Sequence, residues 1–261
     1  MPFTFAHSAA ALPFRRLPLV PSALVIGTFA PDFEYFLRLG PNGRFGHTLP
    51  GTFLFTLPAA LSVLWIFHSL VKRPAAMLMP DGVRNRLVND LGDFRFGGAI
   101  RFLLILASLL LGIATHLLWD SFTHAGTWFY AHWPLLRASL NLPVLGPTPY
   151  YKVFQHGSTI VGTGVVAAWL ALCYRRSEPS TQVPGEPPSP RERFVIFATI
   201  VMVALGGTFI RVIVEASFPV TFKKMIGEVI VTAIALVWWQ LVVYGFIKRH
   251  AYQASRSSHT V

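Results

Sequence analysis

The chain has 261 residues, a mean hydropathy of +0.53 and 13% charged residues, about half the charged share usual in a soluble domain. This composition excludes an ordinary soluble globular protein, and the single cysteine, Cys173, excludes both an internal disulfide and a cysteine-built zinc site. The formal charge of +11 reads as loop charge facing anionic lipid, so no nucleic-acid partner is expected.

In chain order, no basic segment followed by an apolar core and a cleavage site opens the sequence, so no removable signal peptide is expected. Residues 17–30 are apolar but too few to span a bilayer, and predict a short packed or re-entrant helix. Five longer apolar runs follow at 53–71, 99–118, 157–173, 194–214 and 225–247, the third being the shortest. The expected fold is therefore an all-α polytopic integral membrane protein with about five transmembrane helices. Residues 174–193 are polar and rich in proline, a cytoplasmic linker that cannot build a core. They separate a membrane-embedded domain, 1–173, from a two-helix hairpin and basic tail, 194–261.

Lysine and arginine set the expected orientation. The loops 72–98 and 174–193 and the tail 248–261 carry twelve of them, against eight over the longer stretches 1–52, 119–156 and 215–224. The denser side is the cytoplasmic one, which puts the N-terminus outside and the C-terminus inside. Segment 1–52 and loop 119–156 then share the outer face.

The second run ends in His116-Leu-Leu-Trp-Asp120-Ser-Phe-Thr-His124. Residues four apart on a helix point the same way, so two imidazoles and a carboxylate fall on one stripe where the helix leaves the hydrocarbon. These are metal-ligand types at metal-ligand spacing. His7, Asp32, Glu34, His47, His132 and His156 lie on the same predicted side. Plainer roles compete with the ligand reading. His116 and Asp120 suit an ion pair at a helix end, and His124 a solvated last-turn histidine. His132 with Trp128 suits an interfacial aromatic belt, as does His68 on the inner side. Arg211 and Glu228, at similar depth in the last two runs, suit a structural ion pair.

Four of these segments carry a resemblance: Phe-Thr-Phe-Ala-His7, Pro31-Asp32-Phe-Glu34, Gly46-His47-Thr48-Leu49-Pro50-Gly51, and His116-x-x-x-Asp120-x-x-Thr123-His124. Together they resemble the bacterial membrane-bound metal-dependent hydrolases, which are similar in turn to the zinc-dependent phospholipase C and single-strand nuclease superfamily. The resemblance covers about residues 1–160. It implies that His116 and Asp120 are metal ligands, with Asp120 bridging two ions, and that His7, Asp32 and His47 complete two sites. His124 and His156 would belong to a third, for which the superfamily uses a second His-x-x-x-Asp. Here Ile160 stands where that carboxylate would be, so one or two divalent ions, zinc by the resemblance, are expected rather than three.

The expected function is hydrolysis of a phosphoester at the extracytoplasmic face of the bacterial inner membrane. Asp120 is the expected catalytic metal ligand, and Glu34 a ligand, a partner to one or a general base. Membrane lipid is the expected surrounding, and an amphiphilic phosphoester, such as a phospholipid or polyprenyl phosphate, the expected substrate. The competing reading is a non-catalytic membrane protein that retains a metal-binding or structural polar core.

Overall fold

A computed structural model describes residues 3–41, 43–143, 146–180, 187–216 and 222–258. Residues 181–186 of the expected linker and His259 of the tail lie outside the described residues. The protein is an all-α membrane protein. Its elements are an N-terminal 3₁₀-wound segment (Thr4–Arg16), then α1 (Pro21–Phe29), α2 (Phe33–Arg38), α3 (Leu49–Leu78), α4 (Asp81–Leu87) and α5 (Ala99–Thr123). After these come α6 (Trp128–His132), α7 (Pro134–Arg137), α8 (Tyr150–Arg176), α9 (Pro190–Ala216) and α10 (Phe222–Ser258). One antiparallel hairpin, β1 (Ser139–Leu142) with β2 (Gly146–Pro149), pairs Ser139 with Pro149 and Leu142 with Gly146.

Among the described residues, five helical segments are long and apolar enough to cross a membrane: Leu49–Leu78, Ala99–His132, Tyr150–Arg176, Pro190–Val214 and Met225–Arg249. They match the five predicted runs and extend most of them, because polar residues continue the helical hydrogen bonding past the apolar stretch. The third, the shortest in apolar content, is a full 27-residue helix. Residues 17–30 form no span. They give the short helix α1, which packs against α5.

The chain divides into two compact units, residues 1–33, 44–62 and 96–175, and residues 34–43, 63–95 and 176–261. In the first, α5 buries Ile105, Ser108, Leu109, Gly112, Ile113, His116, Asp120 and Thr123. The three- and four-residue spacing is one helical stripe, apolar for three turns and then polar. Its apolar part takes α1 at very short range. A Cβ on Gly112 would lie 2.8 Å from the Gly27 Cα and collide with the Leu24 carbonyl oxygen, so only glycine permits this approach. Pro21 starts α1 with a pre-set φ, and the Val20 N–H donates to the buried Ser108 hydroxyl oxygen at 2.9 Å. Thus α1 is fixed in register on α5 at both ends.

In the second unit, α9 and α10 form the expected hairpin, with the Gln240 amide donating to the Ile200 carbonyl. Asp81 accepts from Arg193 at 2.7 Å and from Arg84 at 3.0 Å, and Arg73 pairs with Asp93 at 2.9 Å. Arg211 and Glu228 both flank Gly40, and His68 stacks on Phe94 with ring centroids 3.9 Å apart. Helix α3 widens to π-type turns at Thr52–Thr56 and Phe67–Val71. Each precedes a proline, Pro58 or Pro74, whose ring displaces the carbonyl four residues back, at Leu54 or Leu70, within the widened turn.

Candidate metal centre

The polar end of the α5 stripe receives side chains from three other segments of the same unit. Where α1 ends, the turn Ala30–Asp32 folds Asp32 over His116. The 3₁₀ turn Phe45–His47 packs on that turn because Gly46 has no side chain; a Cβ there would stand 2.6 Å from the Pro31 carbonyl oxygen. His47 is thereby carried to Asp32 and Asp120. The N-terminal segment lays His7 flat on His116, ring centroids 3.9 Å apart and 21° from parallel.

Two triads of ligand atoms result, His7–His116–Asp120 and Asp32–His47–His116. Asp120 Oδ1 lies 3.4 Å from His7 Nε2 and 3.6 Å from His124 Nδ1, while its Oδ2 lies 3.4 Å from His116 Nε2 and 3.6 Å from His47 Nε2. Asp32 Oδ1 lies 3.5 Å from His47 Nε2 and 3.7 Å from His116 Nε2. These separations exceed the usual hydrogen-bond range of about 2.7–3.2 Å. They match the spacing of two ligands on one tetrahedral ion, about 3.4 Å when each stands about 2.1 Å from it.

The hydrogen bonding around the cluster points the same way. His116 Nδ1 is 2.7 Å from the Thr28 carbonyl oxygen, which can only accept, so Nδ1 carries the proton and Nε2 turns a lone pair toward the carboxylates. Thr4 donates its hydroxyl to Asp32 Oδ2 at 2.6 Å, leaving Oδ1 for the cluster. His7 Nδ1 and Nε2, Asp32 Oδ1, His116 Nε2 and Asp120 Oδ1 are buried and make no hydrogen bond. Asp32 and His116 are fully buried, and among the described residues neither Asp32 nor Asp120 pairs with a lysine or arginine. Orphaned buried polar atoms are costly, and a bound divalent cation could satisfy the carboxylate oxygens and one ring nitrogen of each histidine.

The two histidines outside the spans are pushed in opposite directions. Burial, reinforced by the neighbouring His116, lowers His7 to about 4, so it is a neutral donor at neutral pH. Burial also acts against the charge on His47, but Asp120 and Asp32 outweigh it and raise this group to about 9.

The family model for the domain of unknown function DUF4184 matches residues 1–246. The chain belongs to the DUF4184 family. Neither a curated protein nor a solved structure matches it.

In this DUF4184 chain the structure brings His7, Asp32, His47, His116 and Asp120 into one cluster, with His124 at its rim, its side chain 29% exposed. His156 is exposed on α8 and belongs to neither triad. Ile160, one turn on, is exposed as well. Glu34 is buried in the second unit, where its Oε1 accepts from Arg38 at 2.9 Å. His132 stacks on Trp128 with centroids 4.3 Å apart, an exposed aromatic pair. Sequence reasoning missed Thr4, Thr28 and the Gly27–Gly112 contact. Thr4 and Thr28 act through a hydroxyl and a carbonyl that carry no motif. The glycines stand in apolar runs where only a partner helix gives them meaning.

Thr4→Val keeps the shape of the side chain and removes the hydroxyl that orients Asp32. It is expected to weaken metal affinity by about 10–100-fold, the usual effect of losing a residue that positions a ligand. Metal titration of chelator-stripped protein checks this, and unchanged affinity would mean that Asp32 needs no such support.

Proposed function

We propose that the protein is a metal-dependent hydrolase of the bacterial inner membrane that acts on a phosphoester at the extracytoplasmic face. The observation that carries this reading is the convergence of buried imidazole nitrogens and carboxylate oxygens, about one ion's ligand spacing apart, with no lysine or arginine paired to them among the described residues. The likeness of the four ligand segments to bacterial membrane-bound metal-dependent hydrolases supports it. The lysine and arginine bias of the loops supports a site on the outer side.

The donor set fits the ion. Imidazole nitrogen and carboxylate oxygen without thiolate suit zinc, and the unoccupied lone pairs supply them. His116 Nε2 can serve only one ion. It would share that ion with Asp32 Oδ1, His47 Nε2 and Asp120 Oδ2, and His7 Nε2 and Asp120 Oδ1 would hold a second, with His124 Nδ1 kept at the rim by the Asp120 carbonyl oxygen at 3.2 Å. Such an ion brings the pKa of its water near 7 and polarises a phosphoryl oxygen. In hydrolysis the water oxygen bonds to phosphorus, the ester P–O bond breaks and the alcohol departs with a proton. Asp120 would offer Oδ1 on the His7 side and Oδ2 on the His116 and His47 side of the cluster. The Thr4 hydroxyl and Thr28 carbonyl hold Asp32 and His116 in the ligating orientation. His124, the most exposed member, marks the open side for substrate. Glu34, engaged by Arg38, has no role in this mechanism.

Ile160, standing in place of a carboxylate, favours a second reading, a non-catalytic membrane protein that retains a metal-binding or structural polar core. One experiment tests both. Detergent-purified protein is expected to carry one or two zinc equivalents, which His116→Ala loses, and to hydrolyse p-nitrophenyl phosphate or its diester in a chelator-sensitive way. Metal without turnover selects the non-catalytic reading, and protein that takes up no metal overturns the hydrolase.

A further inference from the structure

Beside the metal centre, within the same unit, runs a cleft of about 730 Å³ between the N-terminal segment, α5 and α8. Its walls are Phe14, Leu118, Trp119, Phe122, Phe154 and Val161. The volume falls in the ~300–1,000 Å³ range of small-molecule sites, but the lining lacks the few charged groups that orient a polar ligand. Leu118, Phe154 and Val161 are 57%, 42% and 63% exposed, and α5 and α8 are both membrane-crossing helices. The mouth of the cleft is therefore bordered by exposed apolar side chains of two helices long and apolar enough to cross a membrane.

The cleft and the metal centre share a wall. Trp119 sets its ring edge toward His7, centroids 5.8 Å apart, and the Thr123 hydroxyl lies 3.2 Å from His124 Nδ1. Both residues line the cleft. A hydrocarbon chain lying in it would therefore bring a headgroup to the exposed rim of the ligand cluster. Gly157 keeps the opposite wall open, since a Cβ built there meets nothing within 4 Å.

We infer that this cleft binds one hydrocarbon chain of a lipid-borne phosphate ester and so selects long-chain over short-chain esters at the metal centre. The inference rests on the hydrolase reading for its turnover arm only. Occupancy of the cleft is measurable without turnover.

The test uses the full chain in lipid nanodiscs, loaded with zinc, with hexadecyl phosphate and ethyl phosphate as substrates. A hexadecyl phosphate carrying bromine near its phosphate end serves as a quencher of Trp119 fluorescence, since Trp119 borders the metal centre. A saturable component above the quenching of the other six tryptophans, one that disappears in Trp119→Phe and weakens at least tenfold in Gly157→Phe, is the expected result. The control Gly164→Leu also points into open space but lies off the cleft. It should quench as the parent chain does. In turnover, the preference for the hexadecyl over the ethyl ester should fall at least tenfold in Gly157→Phe and stay put in Gly164→Leu. Quenching that is unsaturable, or unaffected by Gly157→Phe, overturns the chain-binding cleft even if both esters are hydrolysed. Saturable, Gly157-sensitive quenching without turnover of either ester upholds the cleft and removes the hydrolase reading instead.

Discussion

Asp120→Ala is expected to purify without stoichiometric metal and to lose at least about 100-fold in phosphoester turnover. Changes to residues that only support a ligand already cost about 10–100-fold, and Asp120 faces four imidazoles through two separate oxygens. Its removal takes a ligand from both proposed ions at once. Asp120→Asn separates charge from shape. It keeps the volume and one carbonyl oxygen but cannot bridge as an anion, and should also lose metal. His124→Ala, at the rim, should cost less than either. The measurement is elemental analysis of each purified variant beside chelator-sensitive turnover. Full metal content in Asp120→Ala would mean that the ions, if present, are held elsewhere.

Gly112→Leu is expected to take the centre apart from a position that touches no ligand. A Cβ there is already within 2.8 Å of the Gly27 Cα, and backbone, unlike a side-chain tip, cannot swing aside. Overpacking typically costs about 1–3 kcal/mol, and with backbone on both sides the upper end applies. The strain is relieved by moving α1 off α5. That breaks the contact between the Thr28 carbonyl and His116 and carries Asp32 away from the cluster. Lower thermal stability in detergent together with loss of metal is the expected outcome. Gly206→Leu, on an open face of α9, is the control and should change neither. If Gly112→Leu retains metal and stability, the close α1–α5 approach does not position the site.

The residues that bear on the function were unevenly legible in the chain. Hydropathy alone marks five spans, because a bilayer demands a fixed length of apolar helix whatever its neighbours do. Spacing alone puts His116, Asp120 and His124 on one face, since helical periodicity is local. The resemblance to membrane-bound metal-dependent hydrolases implies His7, Asp32 and His47 as companions, and the structure places all three within ligand spacing of the α5 stripe. His156 shows the limit of that approach. It has the right chemistry and the right order, yet α8 turns it outward, and no local pattern says which face of a nearly all-apolar helix meets the protein.

Composition and periodicity thus determined by themselves that this is an all-α membrane protein with a histidine–carboxylate stripe at the end of its second span. Only the tertiary structure decided that the stripe becomes a cage. Closure depends on α1 coming to glycine-limited contact with α5, on a turn that swings Asp32 over His116, and on His7 lying against the same ring. Each is a contact between segments far apart in sequence. The short-range sterics that shape a helix or a turn carry no record of which distant backbone will fill the space a glycine leaves open.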